Sequence, residues 1–213
     1  MKITGFEFNL FGVNTYVTWD PESREAAVVD PGMSNKSENE TLDRFISEYG
    51  LKVTHLLFTH LHIDHTLGAE HVMERYGVRP EANDADAFLG QQRDMQSSMF
   101  HLRVSPGPLE IDNIIREGDV IKFGNDELAV LLVPGHSPGS VVFWNSRERF
   151  VITGDVLFNG SIGRTDLPGG NHALLVEGIR QKLMALPEDT TVYPGHGPAT
   201  TIWRELRSNP FIR

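Results

Sequence analysis

The stretch Thr59-His60-Leu61-His62-Ile63-Asp64-His65 sets three imidazoles and a carboxylate within six positions, directly behind the apolar run Leu56-Leu57-Phe58. Along an extended chain His60 and His62 point the same way. Asp64 and His65 then fall where the backbone has to turn, ahead of a helix expected over Ala69 to Tyr76 and ended by Gly77. Burying this many polar groups without partners is strongly unfavourable, so packing is a poor account of them. Nitrogen and oxygen donors in this mixture suit a metal ion of borderline-soft character.

Three more donors share one local pattern, an apolar run that ends in glycine and then a ligand type. Leu131-Leu132-Val133-Pro134-Gly135 leads to His136, Phe150-Val151-Ile152-Thr153-Gly154 to Asp155, and Thr191-Val192-Tyr193-Pro194-Gly195 to His196. Glycine permits the tight turn and the close backbone approach that such a convergence requires. Pooled, His60, His62, Asp64, His65, His136, Asp155 and His196 are too many for one tetrahedral zinc. They suit two metals that share a carboxylate.

The elements that must carry these donors alternate in kind. Ile3 to Phe8, Thr15 to Trp19 and Ala26 to Val29 read as antiparallel strands, and Asp30-Pro31-Gly32 closes the third with a turn of Asx type. Leu42, Phe45, Ile46 and Tyr49 lie on a helical stripe with Ser37 as the expected N-cap and Gly50 as the stop. A helix is expected from Asp84 to Phe100 behind Asn83, followed by an irregular Met95 to Ile115 segment that is either a connector or an apolar lid. Strands return at Val120 to Phe123, Leu128 to Val133, Ser140 to Trp144 and Phe150 to Thr153. Helices over His172 to Leu186 and Thr201 to Ser208 flank the strand at Thr191 to Tyr193. This order favours two packed sheets with helices outside.

A chain of 213 residues suits one domain spanning 1–213. The net charge of −10 disfavours nucleic acid or an anionic membrane as a partner. The absence of cysteine excludes disulfides, thiolate ligands and cysteine nucleophiles. Glu7 and Asn9 interrupt any signal-like apolar core, and no apolar run nears the roughly 20 residues of a membrane helix. A cytoplasmic location is the resulting expectation; oligomeric state is left open.

Taken together, Thr-His-x-His-x-Asp-His at 59–65, Pro-Gly-His at 134–136, Gly-Asp at 154–155 and Pro-Gly-His at 194–196 resemble the metallo-β-lactamase superfamily in order and spacing, from about residue 14 to 206. The resemblance implies an α/β fold, the αββα four-layer sandwich, with two mixed sheets face to face and helices outside. It implies one metal on His60, His62 and His136, a second on Asp64, His65 and His196, and Asp155 bridging. Asp30 would brace the metal loop from behind. Two divalent ions are expected, with zinc favoured and iron and manganese also suited to imidazole and carboxylate. Water shared by two dications is available as hydroxide near neutral pH, and Asp64 could relay a proton to the leaving group.

Within the superfamily, the best-known β-lactamases place cysteine where this chain has Asp155. RNA-processing members need polyanion contacts that an acidic chain disfavours, and flavin-coupled members usually carry glutamate in place of His62. Gly160-Ser161-Ile162-Gly163-Arg164-Thr165-Asp166-Leu167-Pro168, with Gly170-Asn171-His172 after it, is similar to glyoxalase-II-like thioesterases that cleave S-lactoylglutathione or related acyl-thiols. No counterpart is expected here to the helical domain that supplies much of the glutathione site in full-length glyoxalase II, which leaves the thiol carrier open. Arg164 and Asp166 are expected to form a buried ion pair beside Asp155 rather than to touch substrate. His172 is expected to start a helix, and His55, His71 and His101 to be structural or exposed. The rival is a persulfide dioxygenase of the same fold, holding one iron on His60, His136 and Asp155.

Overall fold

In the computed structural model, which describes residues 1–212, the chain builds one sheet, then the other. β1 (Lys2–Phe8), β2 (Val13–Trp19) and β3 (Glu25–Val29) form an antiparallel meander. Helix α1 (Lys36–Glu48) crosses back to β4 (Lys52–Leu57), which pairs parallel to β3. The short α2 (Ile63–Thr66) and α3 (Ala69–Tyr76) lead to β5 (Pro80–Ala82). A 3-10 turn at Asp84–Asp86, α4 (Ala87–Gln91) and α5 (Arg93–Met99) precede β6 (Asn113–Ile114). This sheet runs β1-β2-β3-β4-β5-β6.

The second sheet collects β7 (Val120–Phe123), β8 (Asp126–Leu132), β9 (Val141–Asn145) and β10 (Phe150–Gly154). A small hairpin of β11 (Leu157–Phe158) and β12 (Ser161–Ile162) follows, then α6 (His172–Gly178) with a π-helical turn at Ile179–Leu183. β13 (Thr191–Pro194), β14 (Thr200–Thr201) and α7 (Ile202–Ser208) complete the fold, and the sheet runs β14-β13-β10-β9-β8-β7.

Strand periodicity explains the layers. In β3, Ala26 and Val28 face the core under α1 and α3, with Leu42, Ile46 and Val72, while Ala27 and Val29 face the opposite sheet. In β10, Phe150 and Ile152 meet that inter-sheet core, and Val151 turns outward onto Leu175, Ile179 and Leu183. Strands buried on both faces therefore read as continuous apolar runs. The result is the expected αββα sandwich.

Some boundaries differ from the sequence expectation. Asn35, not Ser37, caps α1, because its side chain accepts from the Glu38 amide while Glu38 reaches back to the amides of Ser34 and Asn9. The helix expected over Asp84 to Phe100 is a 3-10 turn capped by Asn83 and two short helices broken at Gln92. The helix from His172 loosens into the π turn before Leu186.

Candidate metal centre

Topology brings the donors to one edge. β8, β10 and β13 run in the same direction, since β8 and β10 each lie antiparallel to β9 and β13 is parallel to β10. Their C-terminal ends deliver His136, Asp155 and His196 to that edge. The other sheet is stitched on there: the Val141 amide donates to the Thr59 carbonyl at 2.8 Å and the Asn14 amide to that of Gly195 at 2.7 Å. β4 thus ends opposite them and delivers His60 to His65. Gly195 is required by this crowding, because a Cβ there would lie 2.2 Å from Asp155 Oδ1.

Two triads of facing donor atoms result, His60, His62 and His136 in one and Asp64, His65 and His196 in the other. His136 Nε2 lies 2.8 Å from His62 Nδ1 and 3.2 Å from His60 Nε2. His196 Nε2 is 3.2 Å from Asp64 Oδ2. Asp155 stands between the groups, with Oδ2 3.6 Å from His136 Nε2, and Oδ1 3.4 Å from His65 Nε2 and 3.6 Å from His196 Nε2.

Each imidazole is aimed by what its other nitrogen touches. His65 Nδ1 donates to Asp30 Oδ2 at 3.0 Å, and His136 Nδ1 to the Arg164 carbonyl at 2.8 Å. His196 Nδ1 donates to the Phe11 carbonyl at 3.1 Å. The Thr59 hydroxyl donates to Asp30 Oδ2 at 2.6 Å and so accepts from His60 Nδ1 at 3.1 Å. In their neutral form these four rings present a bare Nε2. His62 is reversed: its Nδ1 faces the cluster and its buried Nε2 has no partner. Asp30 also groups with His60 and His65, but its oxygens are spent on the Thr59 amide and hydroxyl and on His65, which makes it a brace.

Charge is divided unevenly across the site. Burial and the neighbouring imidazoles hold His60 well below its ordinary range, and burial with His136 lowers His62 to about 3. Burial opposes charge on His65, but Asp64, Asp155 and Asp30 outweigh it and raise its pKa well above normal. Burial likewise opposes charge on Asp155, yet His65, His136 and His196 hold its pKa well below the carboxylate range. Lone-pair nitrogens crowded within 3.2 Å call for a cation between them. Buried His65 Nε2 and Asp155 Oδ1 have no hydrogen-bond partner. The residues present fit divalent ions.

The sequence profile of the metallo-beta-lactamase superfamily matches residues 8–196. This chain belongs to the metallo-β-lactamase superfamily. It is 37% identical over 213 residues to hydroxyacylglutathione hydrolase GloC of Haemophilus influenzae, covering 100% of this chain and 98% of that one. Among solved structures, BLEG-1, described as a B3 metallo-β-lactamase, superposes with TM-score 0.86 at 32% identity, over 99% of both chains. TTHA1623 in a di-iron-bound form gives TM-score 0.86 at 33% identity, over 98% of this chain and 99% of that one. ETHE1 from Myxococcus xanthus gives TM-score 0.76 at 28% identity, over 99% and 84%. The chain is thus a metal-binding enzyme of a metallo-hydrolase superfamily.

Beside the donors lies a cleft of about 200 Å³, walled by Phe11, Phe100 and Leu167 and bordered by Arg164. Phe11 and Phe100 meet edge to face at 5.5 Å, joining the β1–β2 loop to the end of α5. Arg164 and Asp166 do pair, bidentately at 2.8 and 2.7 Å, but with side chains 57% and 68% exposed; the expected burial is corrected, because the pair lies on the open rim of the cleft. The Met95 to Ile115 segment divides between the two roles considered for it. Met95, Met99 and Phe100 wall the site region, whereas Ser105 and Gly107 fold back onto Asp94. His55 and His71 are held by Glu81 and Asp43, away from the site, and His172 begins α6 behind the Asn171 cap.

Sequence reading missed Asp86. Its carboxylate accepts from the Leu61 amide at 3.3 Å, the Ser137 hydroxyl at 2.7 Å and the Gly139 amide at 2.6 Å. It thereby ties the His60–His62 loop to the His136 loop. Gln96 accepts from the Ile63 amide at 3.0 Å in a similar way.

Proposed function

We propose that the protein is a binuclear metallohydrolase of glyoxalase II type, which cleaves S-lactoylglutathione or a related acyl-thiol. The observation that carries this reading is the placement of Asp155 between two complete donor triads. Its support from relatives is the identity to the Haemophilus influenzae hydrolase over the whole chain. His60, His62 and His136 would hold one ion, Asp64, His65 and His196 the other, with Asp155 shared. When bound, the ions, zinc in our reading, supply Lewis acidity and an acidified water.

The chain's own residues do the rest. Asp30 and Thr59 fix the rings of His60 and His65, and the Arg164 carbonyl fixes His136. Asp64 opens onto the cleft beside His196 and would take the proton given up by the attacking water and relay it to the departing thiolate. Phe11, Phe100 and Leu167 exclude water from one side of the reacting group.

Elemental analysis of the purified protein, with thioester hydrolysis followed by absorbance, tests this reading. Two metals per chain and thioester turnover support it. The likeness to ETHE1 leaves open a second reading, a persulfide dioxygenase with one iron on His60, His136 and Asp155. One iron per chain, no thioester turnover and oxygen uptake with glutathione persulfide would replace the first reading by the second. Because BLEG-1 is described as a B3 metallo-β-lactamase, a chromogenic β-lactam belongs in the same assay.

A further inference from the structure

The connection between β1 and β2, Asn9-Leu10-Phe11-Gly12, supplies no ligand, yet it touches the second donor triad from two sides. Asn9 sits in the left-handed region with φ of 52°, a conformation that asparagine tolerates better than most residues. Its side-chain amide is fully used. Oδ1 accepts from the Phe11 amide at 2.9 Å, and the Phe11 carbonyl is the group that receives His196 Nδ1 at 3.1 Å. Nδ2 donates to the Gly32 carbonyl at 2.8 Å and to the Asp64 carbonyl at 3.0 Å.

The bond to Phe11 is ordinary turn chemistry, a side chain serving an amide two residues on. The other two are not, since Gly32 and Asp64 lie 23 and 55 positions away. Glycine at 32 keeps this junction open. A Cβ there would lie 2.0 Å from Val13 Cγ1, and 3.0 Å from both Asn9 Nδ2 and the Asp64 carbonyl oxygen. Helix α2, which carries Asp64 and His65, is one turn long and has no side-chain cap of its own. So short a helix does not fix its own position. It is set from outside, by Gln96 at the Ile63 amide and by Asn9 at the Asp64 carbonyl.

The two halves of the centre differ in how far they depend on such help. His60 and His136 lie deep, each 2% exposed, and Asp86 ties their loops together. The side chains of Asp64 and His196 are 17% and 26% exposed, and Asn9 reaches both, one directly and the other through Phe11. We infer that Asn9 is a positioning residue for the second metal ion: its amide fixes Asp64 and His196 relative to one another and so holds the Asp64, His65 and His196 triad in binding geometry. The inference rests on the two-ion reading above.

The test is zinc binding by Asn9→Gly, which keeps the left-handed backbone and deletes only the amide. Titration against a chelating dye should resolve two steps in the parent protein. In the variant one step should weaken by about 10- to 100-fold, the range typical of outer partners of metal ligands, while the other stays in place. Anomalous diffraction from crystals equilibrated between the two steps should locate the loss at Asp64, His65 and His196. Phe11→Ala keeps the carbonyl that faces His196 and should retain both steps. Urea unfolding of the metal-free variant reads general stability separately, and a lower midpoint without the selective loss of zinc would make Asn9 a structural residue only. Two unchanged steps in Asn9→Gly, equal weakening of both, or the same loss in Phe11→Ala overturns the role of Asn9 and leaves the two-ion reading standing. A parent chain that binds a single zinc overturns both.

Discussion

Asp30 donates nothing to substrate, yet its carboxylate takes three hydrogen bonds, from the Thr59 amide, the Thr59 hydroxyl and His65. Outer partners of this kind typically set metal affinity by about 10- to 100-fold. Asp30→Ala should weaken metal binding by that factor, measured by competition with a chelating dye. Asp86→Ala should do the same from the other side of the centre. It leaves the Leu61 and Gly139 amides without their acceptor and should also destabilise the fold by about 2 kcal/mol, read by urea unfolding. Away from the metals, burial works against charge on His55, but Glu81 at 2.7 Å and the Lys122 carbonyl at 3.1 Å outweigh it and raise its pKa above the ordinary 6.5. A raised histidine contributes stability in full below its unfolded pKa and loses it as pH climbs through the folded value. Unfolding free energy should therefore fall between pH 6.5 and the folded pKa, and His55→Gln should remove that part of the slope.

Helix α5 is seated by a buried cation. Arg93 is fully buried, bonded to the Thr66 carbonyl at 2.9 Å and to both oxygens of Glu70, so it holds the apolar wall against the metal loop. Arg93→Met leaves the buried Thr66 carbonyl without its donor and should destabilise the protein by about 1–2 kcal/mol, with metal affinity falling as α5 loosens. Elements like this one define what the sequence could tell. The donors were legible because each follows an apolar strand run, with a glycine before His136, Asp155 and His196, and α3 was legible from the left-handed Gly77 that stops it. The α1 cap was misplaced by two residues because Asn35 and Ser37 are both good capping types, and only the reach of Glu38 back to Ser34 decides between them. Asp86 and Gln96 were illegible for a different reason. Their partners lie 25, 33 and 51 positions away, and no short-range pattern encodes such contacts. The exposure of the Arg164–Asp166 pair depends on where the rim of the cleft falls, which is a property of the packed sheets.

On the scale of the molecule, the metal centre is the place where the two sheets are held together at one edge. Ions that bind the folded chain and not the unfolded one should add about 2.7 kcal/mol at a hundredfold excess over Kd. Chelation should therefore lower the melting temperature by several degrees, and should do so far less in a variant in which Asp155 is replaced by alanine. Among the described residues no helix is long and apolar enough to cross a membrane.

The first sheet is complete by Ile114 and the second begins at Val120, with an exposed turn at Arg116–Asp119 between them. His60, His62, Asp64 and His65 precede that turn, and His136, Asp155 and His196 follow it. Neither part carries a full ligand set alone. Cleaved at the turn, the two pieces should still meet through the apolar faces of the two sheets, and ions in the joint site should tighten that reassembly, so the chain would serve as a metal-enhanced complementation pair.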